Sequence, residues 1–555
     1  LGWHNYNKRL LFIILNCNIE VDMSELVQIK EHDQIPNHEN EWAEKARGKK
    51  LILIDLANCE DMNIKKRRSI NVYGFPIGIM CLATYLKKYL TTLDIKLMDF
   101  GVEYSSEEEL IEIIKKEKPD FVGFRAVSAN RQILEPLLHQ VIQFCPDALL
   151  MVGGPYVSEK NTDEFIETDA DLFFIGEAEA SLLEVMKRVL DNKDYSDVSG
   201  ISLNKKEHYV DNKPVFRFGR MDLVEFDNLG FPDYNMVDFP KYYESFNWGY
   251  SRNKYALMES TRGCPYSCTY CHVIFGKKTR FRTPESVVNE IKNLQKNQDI
   301  TDLFFTDDIF NIDMRRATEI FDRIIDEKIK VRIQFPNGLR GDIMTEEFVD
   351  KMVEAGTISV AYAFETPSQR MQKYMKKNVH LEKLKKIVDY TCSKGIMVRL
   401  FFMYGFPTET EEDVNYTIEY MKQFKNVVSP YFFALKYYKD TEMYDQAISE
   451  GYKYNALDES AKGLYTEFQF SATPLLSKEF MKKVHYRWLS EVILDKERFM
   501  NALSIQRNFH TDEEITAYYS SFFGKDFDSI DAILNLCRTT DNHVVPHEEV
   551  GLKLT

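Results

Sequence analysis

Two long stretches of this chain alternate short apolar runs with amphipathic helical segments, and that alternation restricts the fold more than any other feature. In the first stretch Lys50–Cys59, Ile95–Phe100, Asp120–Val127, Ala148–Gly153 and Leu172–Gly176 read as buried strands. Between and after them Pro76–Leu90, a segment capped by Ser105 or Ser106 and running to Lys118, Ile133–Phe144 and about Ser181–Leu190 read as helices. Right-handed crossovers between such strands give an α/β fold with a doubly wound parallel sheet. In the second stretch Tyr255–Met258, Asp302–Phe305, Val331–Phe335, Ile358–Phe364, Val398–Tyr404 and Val428–Ala434 are six strands separated by helices at Pro284–Gln295, Arg315–Glu327, Thr345–Glu354, Leu381–Ser393 and Glu411–Phe424. That spacing predicts a partial parallel (β/α)6 barrel. In both architectures ligands bind at the carboxyl ends of strands.

A chain of 555 residues exceeds one ordinary domain. The reading divides it into a leader over 1–48 outside the fold, the doubly wound domain over 49–200, a connector over 201–249, the partial barrel over 250–445 and a mostly helical region over 446–555. The first methionine is Met23, so the residues before it read as an upstream extension. Lys478–Met500 is the longest amphipathic candidate in the last region, which reads either as a lid over the open side of the barrel or as a packing or oligomer surface. The chain carries 38 Phe and 31 Tyr, enough to line a pocket for a flat or oily ligand. A formal net charge of −16 argues against non-specific nucleic-acid binding, which needs a basic surface. No run of about 18 apolar residues predicts a membrane span. Nine cysteines are too few for a disulfide framework, and a reducing cytoplasm is expected.

The strand ends carry the polar and glycine residues. In the first domain these are the loops Asn58–Arg68, Ser128–Arg131, Gly153–Ser158 and Gly176–Ala180. Paired glycines let a backbone approach a bulky ligand closely, and they equally serve a tight turn. In the barrel the strands end in Thr306-Asp307-Asp308, in Glu365 and in Gly405-Phe406-Pro407. Such carboxylates are either solvated loop residues or groups aimed at one cavity. Arg399 on the fifth strand either reaches that cavity or fills core.

Cys264, Cys268 and Cys271 stand within eight residues, as Cys-x3-Cys-x2-Cys. Three soft thiolates at that spacing suit one iron–sulfide cube with an iron left open. Zinc is the rival, with His272 as fourth ligand, although adjacency to Cys271 is a poor geometry for chelating one ion. A zinc-stabilised, non-catalytic binding module therefore stays open on spacing alone.

Cys-x3-Cys-x-aromatic-Cys, with Tyr270 as the aromatic, resembles the signature of the radical S-adenosylmethionine (SAM) superfamily. The resemblance covers about residues 250–445. It implies a 4Fe–4S cluster on the three cysteines, SAM on the open iron, and reductive cleavage to a 5′-deoxyadenosyl radical. It places Asp307 and Asp308 at the contact to the methionine amino group. Phe364-Glu365-Thr366-Pro367-Ser368 resembles a Glu-Ser-Gly-Ser segment whose Glu lies near the SAM ribose. Gly405-Phe406-Pro407-Thr408-Glu409-Thr410 resembles a Gly-Phe-Pro-Gly-Glu-Thr turn, with Thr408 in place of a glycine.

Residues 50–200 resemble the cobalamin-binding domain that precedes many radical SAM domains, through GFPIGIMCLATYLKK, DFVGF, GGPYVS and FIGEAEASLLEV. The resemblance implies that Ser128, Gly153, Gly154, Pro155, Gly176 and Glu177 face the corrin and its nucleotide tail. The Asp-x-His-x-x-Gly motif of better-known cobalamin proteins is missing: Leu56-Ala57-Asn58-Cys59-Glu60-Asp61 has no histidine. Asp227–Val237 resembles the connector of this two-domain family. The implied function is a cobalamin-dependent radical SAM methyltransferase acting on an unactivated carbon of a small molecule or peptide, fed by an electron donor such as flavodoxin or ferredoxin. The alternative is a radical SAM oxidoreductase, cyclase or isomerase with a vestigial cobalamin domain. A tRNA methylthiotransferase would add clustered N-terminal cysteines and a basic tail, and this sequence has neither.

Overall fold

The computed structural model describes residues 39–56, 74–158, 168–204, 209–210, 213–214, 224–244, 246–247, 249–272, 274–439, 441–461, 473–523 and 525–537. The loop after the first strand, the lower-ligand position of the cobalamin resemblance, lies outside them, as do Cys17, Cys59, His543 and His547.

Helix α1 (Glu39–Ala46) precedes β1 (Lys50–Asp55), α2 (Ile77–Tyr89), β2 (Asp94–Asp99), α3 (Glu107–Glu117), β3 (Phe121–Arg125), α4 (Arg131–Phe144), β4 (Leu149–Gly153), β5 (Leu172–Phe174), α5 (Glu179–Leu190) and β6 (Ile201–Leu203). The sheet order is β2-β1-β3-β4-β5-β6. The first five strands are parallel and β6 runs antiparallel to β5. Strand β1 explains the two covered faces. Leu51 and Leu53 enter the core under α2 and α5, while Ile52 and Ile54 enter the core under α3 and α4. A strand buried on both faces is apolar throughout, which is why the run reads as continuous rather than alternating. Ser106 caps α3 by accepting the Glu109 amide at 3.2 Å, with three glutamates in the first turn favoured by the helix dipole.

Two expectations change here. The end of the expected leader is folded: α1 packs on the domain, with Ala46 fully buried, Lys187 5.4 Å from the Trp42 ring and Lys45 paired to Asp191. The start of the expected connector belongs to the sheet as β6. Beyond it, short turns at Phe226–Asn228, Tyr234–Met236 and Phe239–Tyr242 fill the seam between the two units. Phe75 packs against Tyr234, Phe239, Tyr242 and Tyr255 with ring centroids 4.2–5.4 Å apart.

The second unit contains β7 (Tyr255–Met258), α6 (Pro284–Gln298), β8 (Asp302–Phe305), α7 (Met314–Asp326), β9 (Arg332–Leu339), α8 (Glu346–Glu354), β10 (Thr357–Glu365), α9 (Gln369–Tyr374), α10 (Leu381–Ser393), β11 (Met397–Tyr404), α11 (Glu411–Met421) and β12 (Ser429–Ala434). Its six strands are parallel and stand in the order β12-β11-β10-β9-β8-β7, an open barrel wall in sequence order.

The remaining helices are α12 (Glu442–Ser449), α13 (Tyr454–Ala461), α14 (Lys478–Arg487), α15 (Lys496–Gln506), α16 (Asp512–Phe523) and α17 (Ile530–Leu534). Lys478–Met500 is not one helix. A π-turn occupies Trp488–Ile493, and Asp495 caps a new helix by accepting the Arg498 amide at 2.8 Å. Within this region α12 packs beside the cysteine loop, whereas α15 and α16 do not lie over the carboxyl face. Arg498 donates to the Val427 and Val428 carbonyls at 3.1 and 2.7 Å, and Arg332 donates to the Phe509 carbonyl at 2.9 Å. Those positions are at the amino ends of strands, so α15 and α16 seal the bottom of the barrel. Arg399 faces Tyr250, His510 and Tyr518 around a cavity of about 20 Å³ at that same end, away from the cysteines.

Candidate functional site

The cysteine loop follows β7 and is held from three sides. Gly263 donates its amide to Asp308 Oδ2 at 2.9 Å, and Cys264 donates to the Gly276 carbonyl at 3.3 Å. Thr269 donates to the Met375 carbonyl at 3.0 Å and accepts from the Met443 amide at 2.8 Å, which straps the loop between α9 and α12. All three thiols are unbridged, and Cys271 is exposed. Among the described residues no three His, Cys, Asp or Glu side chains converge on a single metal ion.

The acids at the strand ends divide their work. Asp307 is buried beneath the loop, accepting the Ser260 amide at 3.0 Å and the Ser260 hydroxyl at 2.7 Å. Burial pushes its carboxyl up to about 6, and its Oδ2 has no hydrogen-bond partner. Asp308 lies on the open side and pins Gly263, one residue before Cys264. Glu365 ends β10 with φ 61, a conformation that non-glycine residues rarely adopt. Its Oε1 accepts from the Tyr270 hydroxyl at 2.9 Å and from Lys377 Nζ at 2.6 Å. The Tyr270 hydroxyl is held neutral, first by burial and then by Glu365. Sequence reasoning missed Lys377: it stands between two left-handed residues, Lys376 and Asn378, in a turn without periodicity.

At the mouth of the first sheet a cavity of about 240 Å³ is lined by Gly153, Gly154, Pro155, Gly176 and Glu177. Ser128, by contrast, opens a turn after β3 and is not in this wall. Gly154 has φ 95, and a Cβ there would sit 2.7 Å from the Ala126 carbonyl oxygen. The opposite wall comes from the barrel unit: Glu259, Arg262, Ile274 and Phe275. Arg262 is 4% exposed and bonds Glu177 at 2.8 Å, Glu179 at 2.7 Å and Glu259 at 3.0 Å, while Arg280 also pairs with Glu177. Glu177 is thus engaged by two arginines. The sequence signal for Arg262 is its position, a cation two residues before Cys264.

The Radical SAM superfamily matches residues 258–421, and the B12 binding domain family matches residues 67–186. The chain is 25% identical over 424 residues to cytidylyl-2-hydroxyethylphosphonate methyltransferase of Streptomyces wedmorensis, covering 68% of this chain and 78% of the relative. It is 24% identical over 454 residues to anaerobic magnesium-protoporphyrin IX monomethyl ester cyclase of Rubrivivax gelatinosus, covering 80% and 77%. The fold is similar to that of the radical SAM methyltransferase TsrM from Kitasatospora setae, with a TM-score of 0.59 and 17% identity over 72% of this chain and 76% of that one. With both matched regions on the two α/β units described above, the chain belongs to the radical SAM enzymes that carry an N-terminal cobalamin-binding domain.

Proposed function

We propose that this enzyme is a cobalamin-dependent methyltransferase acting on an unactivated carbon of a small molecule or peptide. The observation that carries the reading is the shared wall. The cavity that holds Gly153, Gly154 and Gly176 is closed by Arg262, two residues from Cys264, so the two cofactor sites adjoin. Cys264, Cys268 and Cys271 would hold the 4Fe–4S cluster, and their three soft sulfurs fit it. Gly153, Gly154 and Gly176 line a cavity that fits the nucleotide tail of cobalamin, and these residues would hold it. When bound, the cluster, SAM and cobalamin supply the radical that removes a substrate hydrogen and the methyl group that replaces it.

The chain's own residues position these groups. Asp308 holds the cysteine loop and offers an acceptor toward the SAM ammonium. Lys377 offers a cation to the SAM carboxylate while fixing Glu365, which faces the ribose. Tyr270 orients Glu365 by its hydroxyl. Pro155 and Glu177 border the cobalamin side, and Arg262 holds Glu177 there. Three exposed or half-exposed thiols need reducing surroundings, so a cytoplasmic setting and a flavodoxin- or ferredoxin-like electron donor belong to the same reading. No described helix is long and apolar enough to cross a membrane.

The similarity to the anaerobic cyclase favours a second reading, radical ring closure without methyl transfer. Anaerobic reconstitution with iron, sulfide and hydroxocobalamin separates the two. Formation of both 5′-deoxyadenosine and S-adenosylhomocysteine from SAM supports methyl transfer; 5′-deoxyadenosine alone supports the second reading.

A further inference from the structure

Strand pairing stacks two chemically different layers at the mouth of the first sheet. Leu53 pairs with Gly123 and Asp55 with Arg125. The second pair therefore lies on the same sheet face, two residues or about 7 Å nearer the carboxyl end. The lower layer is apolar: Leu53, Gly123, Met151 and Phe174 line the glycine-rich cavity there. The upper layer is charged: Arg125 lines the same cavity, and its partner Asp55 is 2% exposed.

Asp55 occupies only one corner of the guanidinium. Arg125 Nη1 donates to Asp55 Oδ1 at 2.9 Å and to Oδ2 at 3.0 Å. Nε and Nη2 donate to no group among the described residues, and the side chain stays 30% exposed. Gly78 keeps the approach to Nε open, since a Cβ there would lie 3.3 Å from it. The other arginine lining the cavity, Arg262, is already shared among Glu177, Glu179 and Glu259. Arg125 thus keeps a whole edge of donors for a ligand, and Asp55 fixes its orientation beforehand.

The Nε and Nη2 edge of a guanidinium presents two parallel N–H groups, which match two oxygens of a phosphate. Cobalamin carries one phosphodiester, between the corrin and the ribose of its nucleotide tail. Resting on the cobalamin reading above, we propose that Arg125 binds that phosphodiester through Nε and Nη2 while the apolar layer below takes the base. The order of groups along the tail matches the order of the layers, with charge outside and ring inside. A corrin carboxamide offers a single neutral oxygen and leaves one of the two donors unmet.

The test is corrin loading of the full chain after anaerobic reconstitution with iron and sulfide, followed by absorbance. Three probes are compared: hydroxocobalamin, cobinamide phosphate, and cobinamide, which lacks the phosphate. The wild type should favour cobinamide phosphate over cobinamide; equal affinity overturns the assignment without recourse to any variant. Arg125→Met should weaken hydroxocobalamin and cobinamide phosphate by about tenfold to hundredfold, the range of a charge-assisted hydrogen bond, and leave cobinamide unchanged. That substitution strips buried Asp55 of its cation, so Asp55→Asn combined with Arg125→Met, which removes both charges, should give the same pattern. Loss for hydroxocobalamin alone, equal loss for all three probes, or no loss overturns the assignment and leaves the cobalamin reading standing. A wild type that holds its iron and cleaves SAM but binds none of the three probes overturns the cobalamin reading, and the assignment with it.

Discussion

Arg262 Nη1 lies 2.7 Å from Glu179 Oε1, joining the first helix turn after β5 to the residue pair that introduces the cysteine loop. Burial alone would raise the Glu179 carboxyl, but Arg262 overrides it and holds the group below its ordinary value. The contact ties one unit to the other, in the wall between the glycine-lined cavity and the cysteine loop.

Arg262→Ala leaves Glu177, Glu179 and Glu259 with their central cation removed. The expected loss is about 3–5 kcal/mol, the cost of breaking a buried pair from one side. Urea denaturation of the unreconstituted protein measures it. Because the folded Glu179 pKa is depressed, the pairing stabilises above the unfolded value and is lost as pH falls through the folded one. The wild type and Arg262→Ala should therefore converge in stability as pH drops below about 4.5, the ordinary glutamate range.

Glu409 behaves in the opposite sense. Its Oε2 accepts the Gly405 and Phe406 amides, its Oε1 has no partner, and burial raises the group to about 8. A raised folded pKa means the native state holds a proton that the unfolded chain has released. Stability should fall from about pH 4.5 to 8, by roughly 1 kcal/mol per pH unit from this group. Glu409→Gln keeps an acceptor for both amides and should flatten that decline in denaturation midpoints measured across the range.

Thr408 replaces a glycine of the family turn and pays for it locally. Its φ is 64, strained for a β-branched residue, although Arg370 donates to its hydroxyl at 3.2 Å and its carbonyl at 3.0 Å. Thr408→Gly should stabilise the protein by about 1 kcal/mol, read as a higher thermal midpoint. A lower midpoint would mean that the Arg370 contact outweighs the strain.

Gly153 and Gly154 separate ligand from fold. A Cβ on Gly153 makes ordinary contact with Phe174 at 3.6 Å, whereas one on Gly154 collides with backbone. Gly153→Val should preserve folding and the iron–sulfur cluster while lowering corrin loading, followed by absorbance after reconstitution with hydroxocobalamin. Gly154→Ala should lower the thermal midpoint even without cofactor.

Periodicity made most of the fold legible because each strand from β7 to β12 sends alternate residues into a helix-covered core. It failed where tertiary contacts decide. Ile201–Leu203 is too short to carry a period, and only pairing with β5 makes it a strand. Lys478–Met500 keeps helical spacing across Asp495, yet the chain breaks there because the Asp495 side chain caps a second helix. The three cysteines, Asp308 and Glu365 were legible because chemistry fixes residue types at strand ends. The links among them were not: Lys377 bonds Glu365 from 12 residues away and Arg262 bonds Glu177 from 85 residues away, distances over which local pattern is silent.

Reductive cleavage of SAM by the wild type and by Cys268→Ala, each reconstituted anaerobically and assayed together with iron and sulfide content, tests the central claim most directly. The wild type should carry about four irons per chain and release 5′-deoxyadenosine under dithionite, and Cys268→Ala, with two thiolates left, should do neither. Full iron content and undiminished 5′-deoxyadenosine in Cys268→Ala would contradict it.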